Sequence, residues 1–269
     1  MLYVVAVLCS MVVYLGALTL YRAVVARHGK TLAAFFVRLG RLVGRLVGRL
    51  VGRRPRVTAV HNLFILDESG SMDCVREATV RGFNELVQTV QALAREFPDK
   101  RQLVSLTTFN DEAITEKLFM QPAAALQPLT LSDYEPNSST PLFDAIGQSV
   151  THLRNRLEAE GSQSQQVLVT VLTDGLENAS KEYTRHGISQ LIKGLQARGW
   201  LFTYIGANHD VTAASASLSI KSSISFQQTD AGMDQMFAKE RAARRRYNRN
   251  PDDSSDYFGR DSKGPEPEA

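Results

Sequence analysis

The sequence predicts an α/β domain built on a doubly wound, mostly parallel sheet that is flanked by helices. Two observations support this prediction: apolar runs too continuous for half-exposed strands recur along the chain, and segments with helical periodicity separate them. Strands that are apolar on both faces belong in parallel sheets that helices cover on both sides. The alternation of the two patterns is typical of a doubly wound fold, which we predict over residues 57–238.

Five segments are predicted as strands, and four of them are nearly continuous apolar runs. These four runs are residues 57–66, 103–109, 166–173 and 200–206. The remaining strand, residues 113–119, follows its predecessor after only three polar residues. So short a connection requires the two strands to pair antiparallel, and we expect residues 113–119 to form an edge strand.

Three helices are predicted from apolar residues at helical spacing. The residues concerned are Phe83, Leu86, Val87, Val90, Leu93 and Phe97; then Leu142, Ile146, Val150, Leu153 and Leu157; then Ile188, Leu191, Ile192 and Leu195. After Ala238 the pattern stops. Residues 239–269 are predicted to be a charged, disordered tail that begins as a short basic helix end.

Composition and charge divide the chain into unlike parts. Of its 269 residues, 43% are hydrophobic and 22% charged, which is ordinary for a globular protein. Residues 1–56 contain ten of the 31 Lys and Arg residues and no acid, so the rest carries 21 bases against 28 acids. Two cysteines, Cys9 and Cys74, cannot build a disulfide framework or a cysteine-based zinc site, which favours a reducing compartment.

The leader, residues 1–21, is predicted to be a transmembrane anchor. It contains no charged residue, and about 20 apolar residues span the ~30 Å hydrocarbon layer as a helix. No Lys or Arg precedes it, whereas ten follow, so the positive-inside rule predicts an uncleaved anchor with the domain on the cytoplasmic side. The alternative is a cleaved or anchored leader that places the domain in the periplasm or outside the cell.

Residues 22–56 are predicted to be a basic linker that contains a four-residue repeat of Gly, Arg, Leu and Val. A step of four advances only about 40° around a helix, so Arg41, Arg45, Arg49 and Arg53 form one basic stripe. Such a stripe is suited to anionic lipid headgroups. Because glycine weakens a helix, a passive spacer is an equal alternative.

Two strands end on an acid, Asp67 and Asp174, and hydroxyl residues lie close by. Ser69 and Ser71 follow the first strand, and Thr140 precedes the second helix. Ligands of open α/β sheets bind at the carboxyl ends of the strands, where these side chains are expected. Carboxylates and hydroxyls suit Mg²⁺, Mn²⁺ or Ca²⁺ rather than zinc. Five such residues cannot close a six-coordinate shell, so water or another molecule must complete it.

This ordered set resembles the metal-ion-dependent adhesion site (MIDAS) of von Willebrand factor type A (VWA) domains, with all five positions present. The likeness covers about residues 57–238 and implies a six-stranded sheet with one antiparallel edge strand. By resemblance, Ser69, Ser71 and Thr140 bind the ion directly, and Asp67 and Asp174 hold it mainly through waters. The open position typically receives a Glu or Asp from a partner protein. Mg²⁺ is the expected ion in the cytoplasm, with Mn²⁺ or Ca²⁺ as alternatives.

Each member of the set also has an ordinary structural interpretation. Ser69 and Ser71 can cap the helix that follows them, Thr140 before Pro141 is a good N-cap, and Asp174 before glycine is a common turn. Glu68 is interpreted as a surface side chain without a role. All five together at strand ends favour the metal site.

Three classes of function remain. We predict a non-catalytic domain that binds a protein through the cation. A metal-dependent hydrolase or phosphatase with Asp67 as nucleophile is the first alternative. A metal-independent scaffold is the second. The sequence contains no phosphate-binding glycine loop and no nucleophile elbow, and its five histidines form no metal-spaced pair. Nucleic acid is not an expected partner, because the basic run 241–246 is interpreted as a solvated helix end.

Overall fold

The structure of the chain is a computed structural model. It describes residues 16–17, 58–161, 165–207, 209–251 and 257–259. The chain divides into two compact units, Met1–Arg56 and Val57–Ala269. The second unit contains every strand among the described residues.

The predicted anchor at residues 1–21 lies outside the described residues apart from Gly16 and Ala17, and so does the whole basic linker with its arginine stripe. Among the residues that are described, none of the helices has the length and apolar character needed to cross a bilayer. The anchor, its orientation and the lipid contact of the stripe therefore stay predictions.

In the part of the chain that the structure describes, six strands form one sheet in the order β3-β2-β1-β4-β5-β6. Their bounds are β1 Thr58–Asp67, β2 Lys100–Phe109, β3 Ile114–Pro122, β4 Gln165–Thr173, β5 Leu201–Gly206 and β6 Ser222–Ser225. Among the strand pairs of the described residues, only that of β2 with β3 is antiparallel, and β3 lies at an edge. The expected mostly parallel sheet of six strands is thus confirmed.

Five helices and three short 3₁₀ turns connect the strands in the described part of the chain. The helices are α1 Arg76–Glu96, α2 Leu142–Glu160, α3 Arg185–Gln196, α4 Val211–Ser217 and α5 Asp230–Arg249. The turns are Gly70–Val75, Ala123–Ala125 and Leu131–Asp133. The first three helices are those that the periodicity predicts.

The core has two layers because neighbouring residues of each central strand point to opposite faces of the sheet. On β1, Phe64 and Leu66 pack in the layer beneath α1 and α5. Leu63 and Ile65 pack in the other layer, beneath α2 and α3. A strand buried on both faces must be apolar throughout, which explains why β1 is visible in the sequence as an unbroken run.

Helix α5 extends to Arg249, eleven residues beyond the predicted domain boundary at residue 238. Its second half buries polar groups: Glu240 and Arg244 have no exposed surface and form an ion pair at 2.6 Å. The Arg244 guanidinium also donates to Asn62 Oδ1 at 2.5 Å and to Thr170 Oγ1 at 2.9 Å. A helix whose buried face is polar shows no apolar periodicity, so the pattern ends before the helix does.

Part of the predicted disordered tail also packs against the domain. The Tyr257 side chain is buried, and its hydroxyl donates to Glu240 Oε1 at 3.0 Å. The carbonyl of Tyr257 accepts a hydrogen bond from Arg246 at 3.0 Å. The prediction of a disordered tail from residue 239 therefore fails for residues 239–251 and 257–259, because these residues complete a buried polar cluster.

Candidate metal centre

The carboxyl ends of β1 and β4 lie side by side where the strand order reverses. Residue pairing sets Leu66 opposite Leu172, so both acids that end these strands fall at the same edge of the sheet. This reversal is the usual place for a ligand site in open α/β sheets. Four connections meet here: those after β1 and β4, the one that precedes α2, and the one between β6 and α5.

Asp67 is fully buried, and both of its carboxylate oxygens accept hydrogen bonds. Oδ1 accepts from the Ser69 backbone N–H at 2.8 Å, and Oδ2 accepts from the Thr173 hydroxyl at 2.5 Å. The Asp67 carbonyl accepts from the hydroxyl of buried Tyr134. These contacts fix the rotamer of the carboxylate. Because Asp67 also has no exposed surface, its carboxylate cannot reach a substrate in solution.

The side chains of the two serines and Asp174 form a continuous series of polar contacts at the edge of the sheet where the strand order reverses. Ser69 Oγ lies 3.3 Å from Ser71 Oγ, and the Ser71 hydroxyl donates to Asp174 Oδ1 at 2.7 Å. A hydroxyl that donates its single hydrogen to a carboxylate keeps its lone pairs for another partner. Residues separated by 103 positions in the sequence are thereby brought into contact.

Thr140 lies beside the residue that follows Asp174. Its Oγ1 is 3.4 Å from the position that a Cβ on Gly175 would occupy, and it makes no hydrogen bond with the described residues. The Thr140 backbone is fixed by Asn178, whose Oδ1 accepts from the Thr140 N–H at 2.8 Å and whose N–H donates to the Thr140 carbonyl at 3.2 Å. Thr140 thus carries an uncommitted hydroxyl on a well-anchored backbone.

The capping interpretations of these hydroxyls do not hold. Helix α2 begins after Pro141, and no side chain caps it. Ser69 precedes the turn Gly70–Val75 and likewise makes no side-chain capping bond. The sequence pattern that suits an N-cap is therefore not used as one at either position.

Glu68 is a buried residue, which corrects its interpretation as a surface side chain without a role. Its Oε1 accepts from the Glu135 N–H at 2.5 Å, and its carbonyl accepts from the Asn137 N–H at 2.9 Å. Glu68 therefore holds the connection that leads to Thr140. Nothing local in the sequence marks this role, because it depends on a segment 67 residues away.

Two further acids hold the connection after β4, and the sequence analysis missed both. Asp144 on α2 accepts backbone N–H groups from Lys181, Glu182 and Tyr183 at 2.7–3.0 Å. Glu177 accepts from the Phe143 N–H at 2.8 Å and from the Ser180 N–H and hydroxyl at 2.6 Å. On this rigid connection Leu176 remains 59% exposed, two residues from Asp174.

Burial makes the site receptive to positive charge. Burial raises the pKa of Asp67 from 3.8 to about 6; hydrogen bonds from Thr173 and Ser69 oppose the shift, and the Asp174 charge adds to it. Burial also raises the pKa of Asp174. Two carboxylates that are costly to ionise together favour a cation between them.

The donor set fits a hard divalent ion. It comprises two carboxylates and three hydroxyls, all oxygen donors of the kind that Mg²⁺ and Mn²⁺ prefer. Within the described ranges, no three His, Cys, Asp or Glu side chains gather in a metal-holding group. An ion at this edge would therefore need the hydroxyls of Ser69, Ser71 and Thr140 as ligands, in addition to the two carboxylates.

The sequence profile of the von Willebrand factor type A domain matches residues 63–248. This chain therefore belongs to the VWA family. The match reaches Asn248, near the end of α5, so the family domain includes the polar second half of that helix. VWA domains often mediate protein–protein interactions and often bind a divalent cation at a MIDAS.

Several solved structures are similar in fold. The PilB minor pilin of Streptococcus sanguinis has a TM-score of 0.50 at 11% identity, over 69% of this chain and 61% of the pilin. The von Willebrand factor domain of the type V pili tip protein Mfa5 of Porphyromonas gingivalis has a TM-score of 0.49 at 11% identity, over 68% and 95% of the two chains.

Proximal thread matrix protein 1 of the mussel byssus, with a zinc-occupied MIDAS motif, has a TM-score of 0.46 at 15% identity, over 68% of this chain and 44% of that one. This chain thus spans less than two thirds of the pilin and less than half of the mussel protein. No curated protein matches it.

The raised pKa of Asp67 predicts how the metal-free protein responds to its neutralisation. Because the folded pKa of about 6 exceeds the ordinary 3.8, the folded state loses up to about 3 kcal/mol of stability as the pH rises from about 4 to about 6. We expect Asp67→Asn to raise the free energy of unfolding by ~1–2 kcal/mol at pH 7.5, and by about half as much at pH 5. Urea unfolding with a chelator measures this.

Asp210→Asn is the matched control, because Asp210 is an exposed N-cap of α4 and asparagine caps a helix equally well. It should not alter stability in the same pH-dependent way. A metal-free Asp67→Asn variant no more stable than the wild type at pH 7.5 would contradict the proposed cost of ionising Asp67.

Proposed function

We propose that this protein is a membrane-anchored VWA domain that binds a partner protein through a divalent cation and has no catalytic activity. The observation that supports this most directly is the state of the Thr140 hydroxyl. It is bonded to none of the described residues, does not cap α2, and lies next to the connection that carries Asp174. A hydroxyl held in this way at a ligand-binding edge is suited to a metal ion.

In this proposal the five residues divide into direct ligands and ligands that act through water. Ser69, Ser71 and Thr140 bind the ion directly. The carboxylates of Asp67 and Asp174 supply the balancing charge and hold the ion mainly through waters. When bound, the cation supplies an open coordination position, and an acidic residue of the partner takes it.

Mg²⁺ is the proposed ion, with Mn²⁺ or Ca²⁺ as alternatives. Hydroxyl and carboxylate oxygens are the usual ligands of these ions, whereas zinc in proteins is bound mostly by cysteine and histidine. Mg²⁺ also retains waters readily, which suits a site that offers few direct protein ligands.

The environment of Asp67 supports a non-catalytic role over a hydrolase. A nucleophilic carboxylate must reach its substrate, yet Asp67 has no exposed surface and both oxygens are engaged. Mg²⁺-dependent hydrolysis of p-nitrophenyl phosphate, lost on Asp67→Asn, would support the hydrolase instead. Partner binding that withstands a chelator would support the metal-independent scaffold.

We further propose that residues 1–21 anchor the chain with its N-terminus outside and the VWA domain on the cytoplasmic side. The ten basic residues between positions 22 and 56 support this orientation through the positive-inside rule. The stripe from Arg41 to Arg53 would then lie near the anionic inner leaflet.

Metal binding is tested by isothermal titration of Mg²⁺ into the full-length protein in mild detergent. Thr140→Val keeps the size of the side chain and removes only the hydroxyl. We expect it to weaken Mg²⁺ binding at least tenfold, because one direct ligand is lost. Thr212→Val, at an exposed position of α4, is the matched control and should bind as the wild type does. Equal heats from Thr140→Val and the wild type would refute the role of Thr140.

Orientation is tested by adding protease to intact cells or spheroplasts that express the full chain. The cytoplasmic proposal predicts that the VWA domain is spared until the membrane is permeabilised. Digestion of the domain before permeabilisation, or a mature N-terminus near residue 27, would place the domain on the other side or show that the leader is cleaved.

A further inference from the structure

Gln228, in the connection between β6 and α5, contacts two residues of the candidate metal centre. Its side-chain Nε2 donates to Asp174 Oδ2 and also to the Ser71 carbonyl, the latter at 2.6 Å. Gln228 is 54 positions from Asp174 and 157 from Ser71. It is not one of the five MIDAS positions, and nothing in the local sequence distinguishes it from Gln227.

The two hydrogen bonds complete the fixation of the Asp174 carboxylate. Oδ1 accepts from the Ser71 hydroxyl at 2.7 Å, and Oδ2 accepts from Gln228, so each oxygen has a separate donor. The amide has two N–H hydrogens, and they can serve Asp174 and the Ser71 carbonyl at the same time. Gln228 therefore ties the connection after β1 to the end of β4.

The chemistry of the amide suits a position next to a cation. A lysine here would satisfy Asp174 equally well, but its charge would repel the ion and neutralise the carboxylate. Glutamine is neutral and cannot titrate, so it orients the carboxylate while leaving the negative charge of the site available.

The segment that carries Gln228 is fixed on both sides. Before it, the Phe226 N–H donates to the Gly206 carbonyl at 2.9 Å. After it, the Thr229 hydroxyl caps α5 by accepting from the Gly232 N–H at 3.1 Å. A Cβ on Gly232 would lie 2.1 Å from the Gln227 carbonyl oxygen, so a larger residue at this position would clash with the backbone of the turn. The Gln228 side chain thus starts from a well-defined backbone.

We propose that Gln228 is a positioning residue of the metal centre, which it serves by holding Asp174 and the Ser69–Ser71 segment in the arrangement that receives the cation. This inference rests on the proposed function and adds a fourth connection, from β6 to α5, to the three that carry the MIDAS residues. Groups that orient metal ligands typically contribute 10- to 100-fold to metal affinity. We expect a contribution of that size from Gln228.

The test replaces the amide without changing the size of the side chain. Gln228→Met keeps the length and volume of glutamine and removes both donors. Isothermal titration of Mg²⁺ into the full-length variant should give a Kd about 10- to 100-fold above that of the wild type. Gln227→Met is the matched control, since Gln227 is the exposed neighbour on the same connection, and its Kd should equal that of the wild type.

A second measurement separates positioning from a general loss of structure. With a chelator present, Gln228→Met should melt close to the wild-type temperature, whereas the rise in melting temperature on adding Mg²⁺ should be much smaller. If Gln228→Met melts early without metal, Gln228→Ala provides a second comparison. Wild-type affinity in either folded variant overturns the proposal.

The remaining outcomes are also decisive. Tighter Mg²⁺ binding by Gln228→Met would mean that the amide competes with the ion for Asp174, which overturns the positioning role but leaves the metal site intact. If the wild type itself gives no Mg²⁺ heat, the proposed function fails, and the role of Gln228 fails with it. Normal Mg²⁺ binding by both the wild type and Gln228→Met would overturn only the positioning role of Gln228 and leave the proposed function standing.

Discussion

The parallel pairing of β1 with β4 is the constraint on which the rest of the molecule depends. It reverses the strand order at the centre of the sheet and sets the ends of the two strands side by side. Asp67 and Asp174 consequently face the same space, although they are 107 positions apart in the sequence. The helices on the two sides of the sheet bury both faces of β1, so the strand that delivers Asp67 is held between the two layers of the core.

This arrangement has an energetic cost that the surrounding residues reduce. Burial raises the pKa of both carboxylates, so ionising them without a cation is unfavourable. Ser71, Thr173 and Gln228 each donate a hydrogen bond to one of these acids, and each lessens that cost. In the proposed function, a cation bound between the two carboxylates would stabilise the folded state.

How far the sequence predicts the structure depends on whether a residue is placed by local or by distant contacts. The long strands are visible because burial on both faces demands continuous apolar residues. The strand β6 is four residues long and mostly serine, so its place is set by β5 rather than by its own composition. The end of α5 is missed because its buried face, with Glu240 and Arg244, is polar.

The same distinction applies to the site. The five residues that resemble a MIDAS form an ordered motif in the sequence, and the structure brings Ser69, Ser71 and Asp174 into one hydrogen-bonded chain with Thr140 nearby. Glu68, Asp144 and Gln228 support that motif through contacts with segments 37 to 157 residues away. No local pattern marks such residues, because glutamate, aspartate and glutamine are also common on solvated surfaces.

The most direct test of the whole account is a crystal of the protein soaked in Mn²⁺ and examined by anomalous diffraction. A cation site at this edge predicts one strong anomalous peak within coordination distance of the Ser69, Ser71 and Thr140 hydroxyls. The absence of a peak at this edge of the sheet at saturating Mn²⁺, in crystals whose lattice leaves the edge open, would contradict it.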